Sequence, residues 1–275
     1  MSDYAGLLPV AIEAVRRGAE AMRGRSPGSL SAKSDRDLVS ELDFTIEREL
    51  RAFLRHATPA IGFLGEEEGS TGSAELQWVL DPIDGTANFV RGIPLCAVSL
   101  GLVHHNDAVL GVIELPFLDS RYAAARGDGA SLNGQPIKAS TVDDLSEAIV
   151  AIGDYAVGPD AAPKNQLRLA LTAQLAERAQ RVRMTGSAAL DLAWLAKGRI
   201  DAALTLSNHA WDMAAGVAIA REAGASVVDR DGTSHDALSE MTIAAAPALS
   251  DTLLTLLAKA DSQQTSTGEI PSGSY

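Results

Sequence analysis

Cysteine is almost absent from this chain. Cys96 stands alone among 275 residues, which excludes an internal disulfide. Long apolar runs are missing as well, and none approaches the roughly 18 residues that a membrane-spanning helix requires. Positive charge is scarce: 23 Lys and Arg face 36 Asp and Glu, leaving a formal net charge of -13. That balance argues against a general nucleic-acid binder, which needs a basic stripe to displace counterions. Residues Met1 to Leu8 lack the basic start and apolar core of a signal peptide, so a cytoplasmic protein with no membrane partner is expected. The length accommodates one large domain or two fused lobes, and the 46% of hydrophobic residues suffices for a sizeable core. No internal repeat is present.

Acidic residues gather at particular points. The run Trp78-Val79-Leu80 reads as a strand and leads directly into Asp81-Pro82-Ile83-Asp84-Gly85-Thr86-Ala87-Asn88-Phe89. Pro82 stiffens that turn and Gly85 removes any side chain beside the second acid, so both carboxylates can aim at one point. Upstream lies Gly65-Glu66-Glu67-Glu68, and far downstream Trp211-Asp212-Met213-Ala214-Ala215-Gly216. Each cluster has a plainer explanation when taken alone: a Pro/Gly turn, a solvated loop tip, a helix N-cap at Asp212. Together, three acidic clusters that each follow an apolar run can form an oxygen cage for hard divalent cations such as Mg²⁺. A bound ion would also reconcile an acidic protein with a phosphate ligand, because it reverses the local sign of charge.

Along the chain, Ala5 to Arg23 carries Leu8, Ile12, Val15, Ala19 and Met22 at helical spacing, and Gly24 to Ser31 breaks the pattern. Ser40 can cap a second helix with Ile46, Leu50, Phe53 and Leu54 on its inner face, and Asp43 falls in its first turn, where an acid complements the helix dipole. Ile61 to Leu64 reads as a strand delivering Glu66 and Glu67, followed by a mobile loop from Gly69 to Glu75. Two strands, Leu95 to Val103 and Ala108 to Leu115, are joined at Asn106-Asp107, and Arg121 to Arg126 continues an antiparallel meander. His104 and His105 end a strand and read as surface residues; Cys96 reads as a small buried hydrophobe. Polarity rises near Thr141 to Ser146, which places the boundary between an N-terminal α+β lobe, 1–145, and a C-terminal α/β lobe, 146–260. In the second lobe a strand (Ala148 to Gly153), a helix (Gln166 to Arg181), a helix through Trp194 and a strand (Ile200 to Leu206) precede the Ala-rich helix that Asp212 opens. From 261 to 275 the Ser, Thr, Gln and Gly content predicts a disordered tail.

The D-P-I-D-G-T-x-N-F run, the preceding G-E-E and the following W-D-x-A-A-G resemble the signature set of the inositol monophosphatase family of Mg²⁺-dependent, lithium-sensitive phosphatases. Lys33-Ser34 with Asp37-Leu38-Val39-Ser40 and Asp43, Gly127-Asp128-Gly129-Ala130 with Asn133-Gly134, and Gly186-Ser187-Ala188-Ala189 extend the likeness from about Lys33 to about Gly224, in family order. The resemblance implies an αβαβα layered sandwich of α+β or α/β class, the sugar-phosphatase fold, and a homodimer. It implies two or three Mg²⁺ ions held by Glu66, Asp81, Asp84, Asp212 and the Ile83 carbonyl, with Thr86, oriented by Asp43, handling the attacking water and Glu67 assisting. The amides of Gly85, Thr86 and Ala87 are then expected to face the phosphate, and Asp84, Gly186, Ser187, Ala188, Thr205 and His209 the alcohol.

Thr205 departs from the family pattern, since inositol-hydrolysing members carry an acid seven residues before the W-D aspartate. Ala87 likewise replaces a common second threonine. The favoured substrate is a small polyol, sugar or inositol monophosphate; L-histidinol phosphate or a nucleotide is the alternative within the same chemistry. A non-catalytic role in transcription or RNA processing is the reading from another class.

Overall fold

The computed structural model describes residues 4–34 and 37–267; the side chains of Lys33, Ser34 and Asp37, and those beyond Ser262, are outside that description. The first helix, α1 (Leu8–Gly24), follows a single 3-10 turn and carries Pro9 in its first turn, where a missing N–H costs nothing. Its buried stripe is made of small residues, Ala11, Ala14, Val15, Gly18 and Ala19, with Met22 at the end. The helix breaks at Gly24 as expected, and from Leu30 the chain enters an antiparallel pair of β1 (Leu30–Ser34) and β2 (Asp37–Ser40). Ser40 then opens α2 (Glu41–Ala57) through a capping box in which Ser40 and Asp43 bond each other's backbone reciprocally. Ile46, Leu50 and Leu54 are the buried face of α2.

The first sheet comprises β3 (Gly62–Gly65), β4 (Gly69–Thr71), β5 (Leu76–Asp84), β6 (Ala97–His104), β7 (Asp107–Leu115), β8 (Ser120–Ala125), β9 (Ala130–Leu132) and β10 (Gln135–Ile137). Its order is β10-β9-β8-β7-β6-β5-β3-β4, antiparallel throughout except for the parallel β3/β5 pair. Part of the expected loop after Gly69 is therefore an edge strand, with Thr71 opposite Phe63. The β6–β7 turn falls one residue earlier than expected, on His105 and Asn106, both left-handed at φ 49° and 65°. A short helix, α3 (Thr86–Val90), joins β5 to β6.

The second sheet holds β11 (Ile149–Ile152), β12 (Arg181–Arg183), β13 (Ala202–Thr205), β14 (Ser226–Val228) and β15 (Thr242–Ala245) in the order β12-β11-β13-β15-β14. Four helices accompany it: α4 (Ala161–Arg178), α5 (Ala188–Ala196), α6 (Ala210–Glu222) and α7 (Ser250–Thr267). The last of these runs past Asp261, so the helix overruns the boundary expected there; 268–275 lie outside the described residues.

Five layers result, in the αβαβα order. One apolar cluster joins α1 and α2 to the first sheet, a second joins the other face of that sheet to α5 and α6, a third joins these helices to the second sheet, and a fourth closes that sheet with α4 and α7. Buried from Met213 to Ala220, α6 is apolar all round because it has a sheet on either side. It lies against strand backbone: a Cβ on Gly111 would meet the Ala215 carbonyl oxygen at 2.2 Å, and one on Gly101 would meet the Ala214 Cβ at 2.7 Å. That close seat fixes where Asp212, in the first turn of α6, can point.

Candidate active site

Strand β5 brings Trp78, Val79 and Leu80 into the core and then loses register. Asp81 pairs with Ser99, the ladder shifts, and pairing resumes only at Asp84 opposite Ala97. Within the irregularity Asp81 Oδ1 accepts the Ile83 N–H at 3.0 Å. Gly85 follows at φ +84°, and a Cβ there would lie 3.0 Å from the Leu95 carbonyl oxygen and 3.1 Å from that of Gly186, so the turn requires glycine on two counts. Asn88 ties the motif to the second half of the chain, its Nδ2 donating to the Leu95 carbonyl at 2.7 Å and to the Thr185 carbonyl at 2.8 Å. Asp84 Oδ2 accepts the Ala189 N–H at 3.0 Å, at the start of α5.

These elements border an open cavity of about 320 Å³. Glu66, Asp81, Asp84 and Asp212 line it with Ile83, Gly85, Thr86 and Ala87, and Gly186, Ser187, Ala188 and Thr205 also contribute to its wall. Leu38, Gly153, Asp154 and Asp191, not singled out from the sequence, complete the lining. Six carboxylates thus border one concavity that, among the described residues, no Lys or Arg lines. Burial, and then the charges of Glu66, Asp84 and Asp212, push Asp81 well above the usual carboxylate range. Burial pushes Asp84 up to about 6 against the pull of Ser187 and the Ala189 amide. Asp191, buried at the base of α5, is pushed up to about 7 despite accepting the Thr185 hydroxyl at 2.7 Å.

Such a cavity fits a hard cation. Asp84 Oδ1 is buried and makes no hydrogen bond, and the ionisable side chains of the lining residues are all carboxylates. The carboxylates border the space without crowding: among the described residues, no three of them bring ligand oxygens within 4.8 Å of one another.

Behind the wall, the Thr86 hydroxyl reaches Asp43, which is fully buried and raised above its ordinary pKa first of all by that burial. The acidic triplet is not a solvated tip. Glu47 on α2, fully buried, accepts the Glu67 N–H at 2.8 Å and the Glu68 N–H at 2.9 Å, while Arg51 Nη2 donates to it at 2.6 Å. Gly65 is where it is because a Cβ would strike the Glu47 carboxylate at 2.3 Å. Glu67 itself is not part of the cavity wall.

Two expectations shift. Asp212 is the third residue of α6, its carboxylate facing the His209 N–H at 3.4 Å, and His209 is the N-cap. His209 stacks on Trp211 and lines a neighbouring cavity with Met213 and His235 instead of the one bordered by Asp84, because the capping position turns it away. Asp154, by contrast, follows the apolar strand β11 after a single glycine, Gly153, a strand-then-acid signal like the one that marks Asp81, and Glu47 gave no sequence signal because an acid on a helix reads as solvated surface.

The sequence model of the inositol monophosphatase family matches residues 3–264. A probable inositol 1-monophosphatase of Mycobacterium tuberculosis is 36% identical over 235 residues, 85% of this chain and 87% of that protein. A Nus factor SuhB of Xylella fastidiosa is 38% identical over 200 residues, 73% of this chain and 72% of that protein. Among solved structures, the IMPase of Thermotoga maritima superposes with a TM-score of 0.85 at 30% identity, covering 94% of this chain and 98% of that one.

Proposed function

The chain belongs to the inositol monophosphatase family and is a phosphoric monoester hydrolase; from that premise we propose that it cleaves a small polyol monophosphate, inositol monophosphate foremost, with Mg²⁺ bound in the carboxylate cavity. One observation carries this reading. Asp84, buried and with Oδ1 unpartnered, shares a cavity with the carboxylates Glu66, Asp81 and Asp212, and among the described residues no Lys or Arg lines it, a donor set suited to a cation.

Glu66, Asp81, Asp84, Asp212 and the Ile83 carbonyl, which line one cavity, would hold two or three ions, each keeping waters of its own. Bound there, Mg²⁺ supplies charge to the phosphate oxygens and acidity to a water. The residues of the chain supply position. Thr86 has two acceptors at hand, Asp43 Oδ1 and the Ile83 carbonyl, so its own proton points inward and its lone pairs face the cavity, where the hydroxyl takes a proton from the attacking water as it passes its own to the Asp43 carboxylate. The first turn of α3 leaves the N–H groups near Gly85, Thr86 and Ala87 without intrahelical partners, and these face the phosphate. Glu67 acts from outside the wall, through water. Attack in line then expels the alcohol with no covalent enzyme intermediate.

On the alcohol side Gly186, Ser187 and Ala188 form one wall, and Thr205 offers a hydroxyl where an acid would bind two substrate hydroxyls. Asp154 supplies the missing carboxylate. It lines the same cavity, and its backbone carbonyl is held at 3.2 Å by the buried Arg168, whose guanidinium also bonds Ser207 at 2.9 Å. A carboxylate lining that cavity can accept from vicinal hydroxyls, which supports a polyol over L-histidinol phosphate, an ester without a vicinal diol.

The test is phosphate release from inositol 1-phosphate, a hexose phosphate, L-histidinol phosphate and a nucleoside monophosphate at fixed Mg²⁺. Turnover led by the polyol or sugar ester supports the proposal, and release from none of them overturns it. A second reading, a non-catalytic role, rests on the likeness to the protein named a Nus factor. It requires that Asp84→Asn abolish phosphate release while a cellular phenotype of the deleted gene is still complemented.

A further inference from the structure

At the start of β5, Glu75 meets His104 and His105 from the end of β6. The register of the two strands sets Leu76 opposite His104, and the His105 N–H donates to the Glu75 carbonyl at 2.8 Å, so the three residues are locked side by side by backbone alone. Six residues of strand, roughly 20 Å, separate Glu75 from Asp81. Among the described residues this is the one group of three His, Cys, Asp or Glu whose ligand atoms all lie within 4.8 Å of one another.

We propose that Glu75, His104 and His105 form a binding site for a borderline divalent transition-metal ion of the Zn²⁺ class, at the opposite end of β5 from the carboxylate cavity. The donor set is the first reason. Two imidazoles and a carboxylate suit Zn²⁺, whereas the all-oxygen cavity suits Mg²⁺. Spacing is the second. His105 Nε2 and Glu75 Oε1 are 3.4 Å apart, and a tetrahedral ion with bonds of about 2.0–2.1 Å sets its ligand atoms about 3.4 Å from each other.

Orientation of His104 is the third. The Tyr4 hydroxyl lies 2.6 Å from His104 Nδ1, and the two rings meet edge to face, which engages one ring nitrogen and leaves Nε2 as the ligand atom. The backbone is the fourth. His105 adopts φ 49°, a left-handed conformation that Gly or Asn takes at lower cost in a two-residue hairpin turn. The His105 ring stacks on His104 with centroids 4.4 Å apart, and since its side chain is 67% exposed it turns freely to bring Nε2 onto an ion between the three groups. Without metal the Glu75–His105 contact is exposed and of little consequence for stability.

Isothermal titration of the full chain with Zn²⁺, in a Mg²⁺ excess that occupies the oxygen cavity, tests the site. The wild type is expected to bind one equivalent in the micromolar range or tighter, and His105→Gln and Glu75→Gln to bind about 100-fold more weakly. Both replaced side chains are exposed, so far-UV circular dichroism and Mg²⁺-supported phosphate release stay as in the wild type. Tyr4→Phe is expected to weaken Zn²⁺ by about 10-fold through the freed His104 ring. Absence of saturable micromolar binding in the wild type, or equal Zn²⁺ affinity in His105→Gln and Glu75→Gln, overturns the proposal.

Discussion

The Thr86 hydroxyl oxygen stands 3.2 Å from Asp43 Oδ1. The same oxygen is 3.0 Å from the Ile83 carbonyl, and Asp43 is at once the partner of Ser40 in the capping box of α2. The capping box of the second helix and the hydroxyl that follows the β5 turn therefore share one carboxylate.

Replacing either member of this pair should slow chemistry while leaving substrate binding intact. Thr86→Ala and Asp43→Asn are expected to lower kcat by about 10²- to 10³-fold with KM little changed, and the double variant to be no worse than the slower single one. Steady-state kinetics of the three variants decides it. Multiplicative losses would mean that the two residues act separately.

Glu47 holds the Glu66 segment through the Glu67 and Glu68 amides. Removing it with Glu47→Ala should raise the Mg²⁺ concentration for half-maximal rate by about 10- to 100-fold, because the ligand is left to wander. Saturating Mg²⁺ should recover most of the rate. An unchanged Mg²⁺ curve would show that the segment holds its position by other means.

On the proposed reading, Asp154, which lines the same cavity as Thr205, stands in for the acid that position 205 lacks. Asp154→Ala is expected to raise KM for a polyol phosphate by about 10-fold or more while sparing an ester without vicinal hydroxyls, and Thr205→Glu in that background to restore part of the loss. Equal effects on both esters would remove Asp154 from the alcohol pocket.

His235 is 4% exposed, with Nε2 2.8 Å from the Thr242 hydroxyl. Burial, then the Arg221 charge, pushes it down to about 4 from 6.5. The unfolded chain thus binds a proton between pH 6.5 and 4 that the native protein refuses, so stability is lost as pH falls through that window, by about 2 kcal/mol between pH 7 and pH 5. Asp84, raised to about 6, acts in the opposite direction over the same range, because there the native carboxyl holds the proton more tightly than the unfolded one. The difference between wild type and His235→Gln is therefore the readout. Urea unfolding at the two pH values should show a smaller acid loss in the variant.

Much of this architecture is legible in the sequence. The spacing of Ile46, Leu50 and Leu54 yields α2, Ser40 yields its cap, and the apolar run before Asp81 yields β5. Asp81 and Asp84 stand out because a turn rich in Pro and Gly follows a buried strand. Legibility stops where a residue's meaning depends on a distant neighbour. Glu47 has the look of a surface acid on a helix, and only the folded chain sets it beneath Gly65. The edge strand β4 is hidden by its Gly-Ser-Thr composition, since its pairing with β3 is a backbone matter. His209 is misleading for the opposite reason. Its closeness to Asp212 in sequence suggests one pocket, but the N-cap geometry of α6 turns its ring toward another.

Anomalous diffraction from crystals soaked in Mn²⁺, a stand-in for Mg²⁺ that scatters strongly, tests the central claim most directly. Peaks are expected within about 2.3 Å of carboxylate oxygens of Glu66, Asp81, Asp84 and Asp212, and should vanish in Asp84→Asn. A cavity without peaks, in a protein that still releases phosphate, would contradict the account.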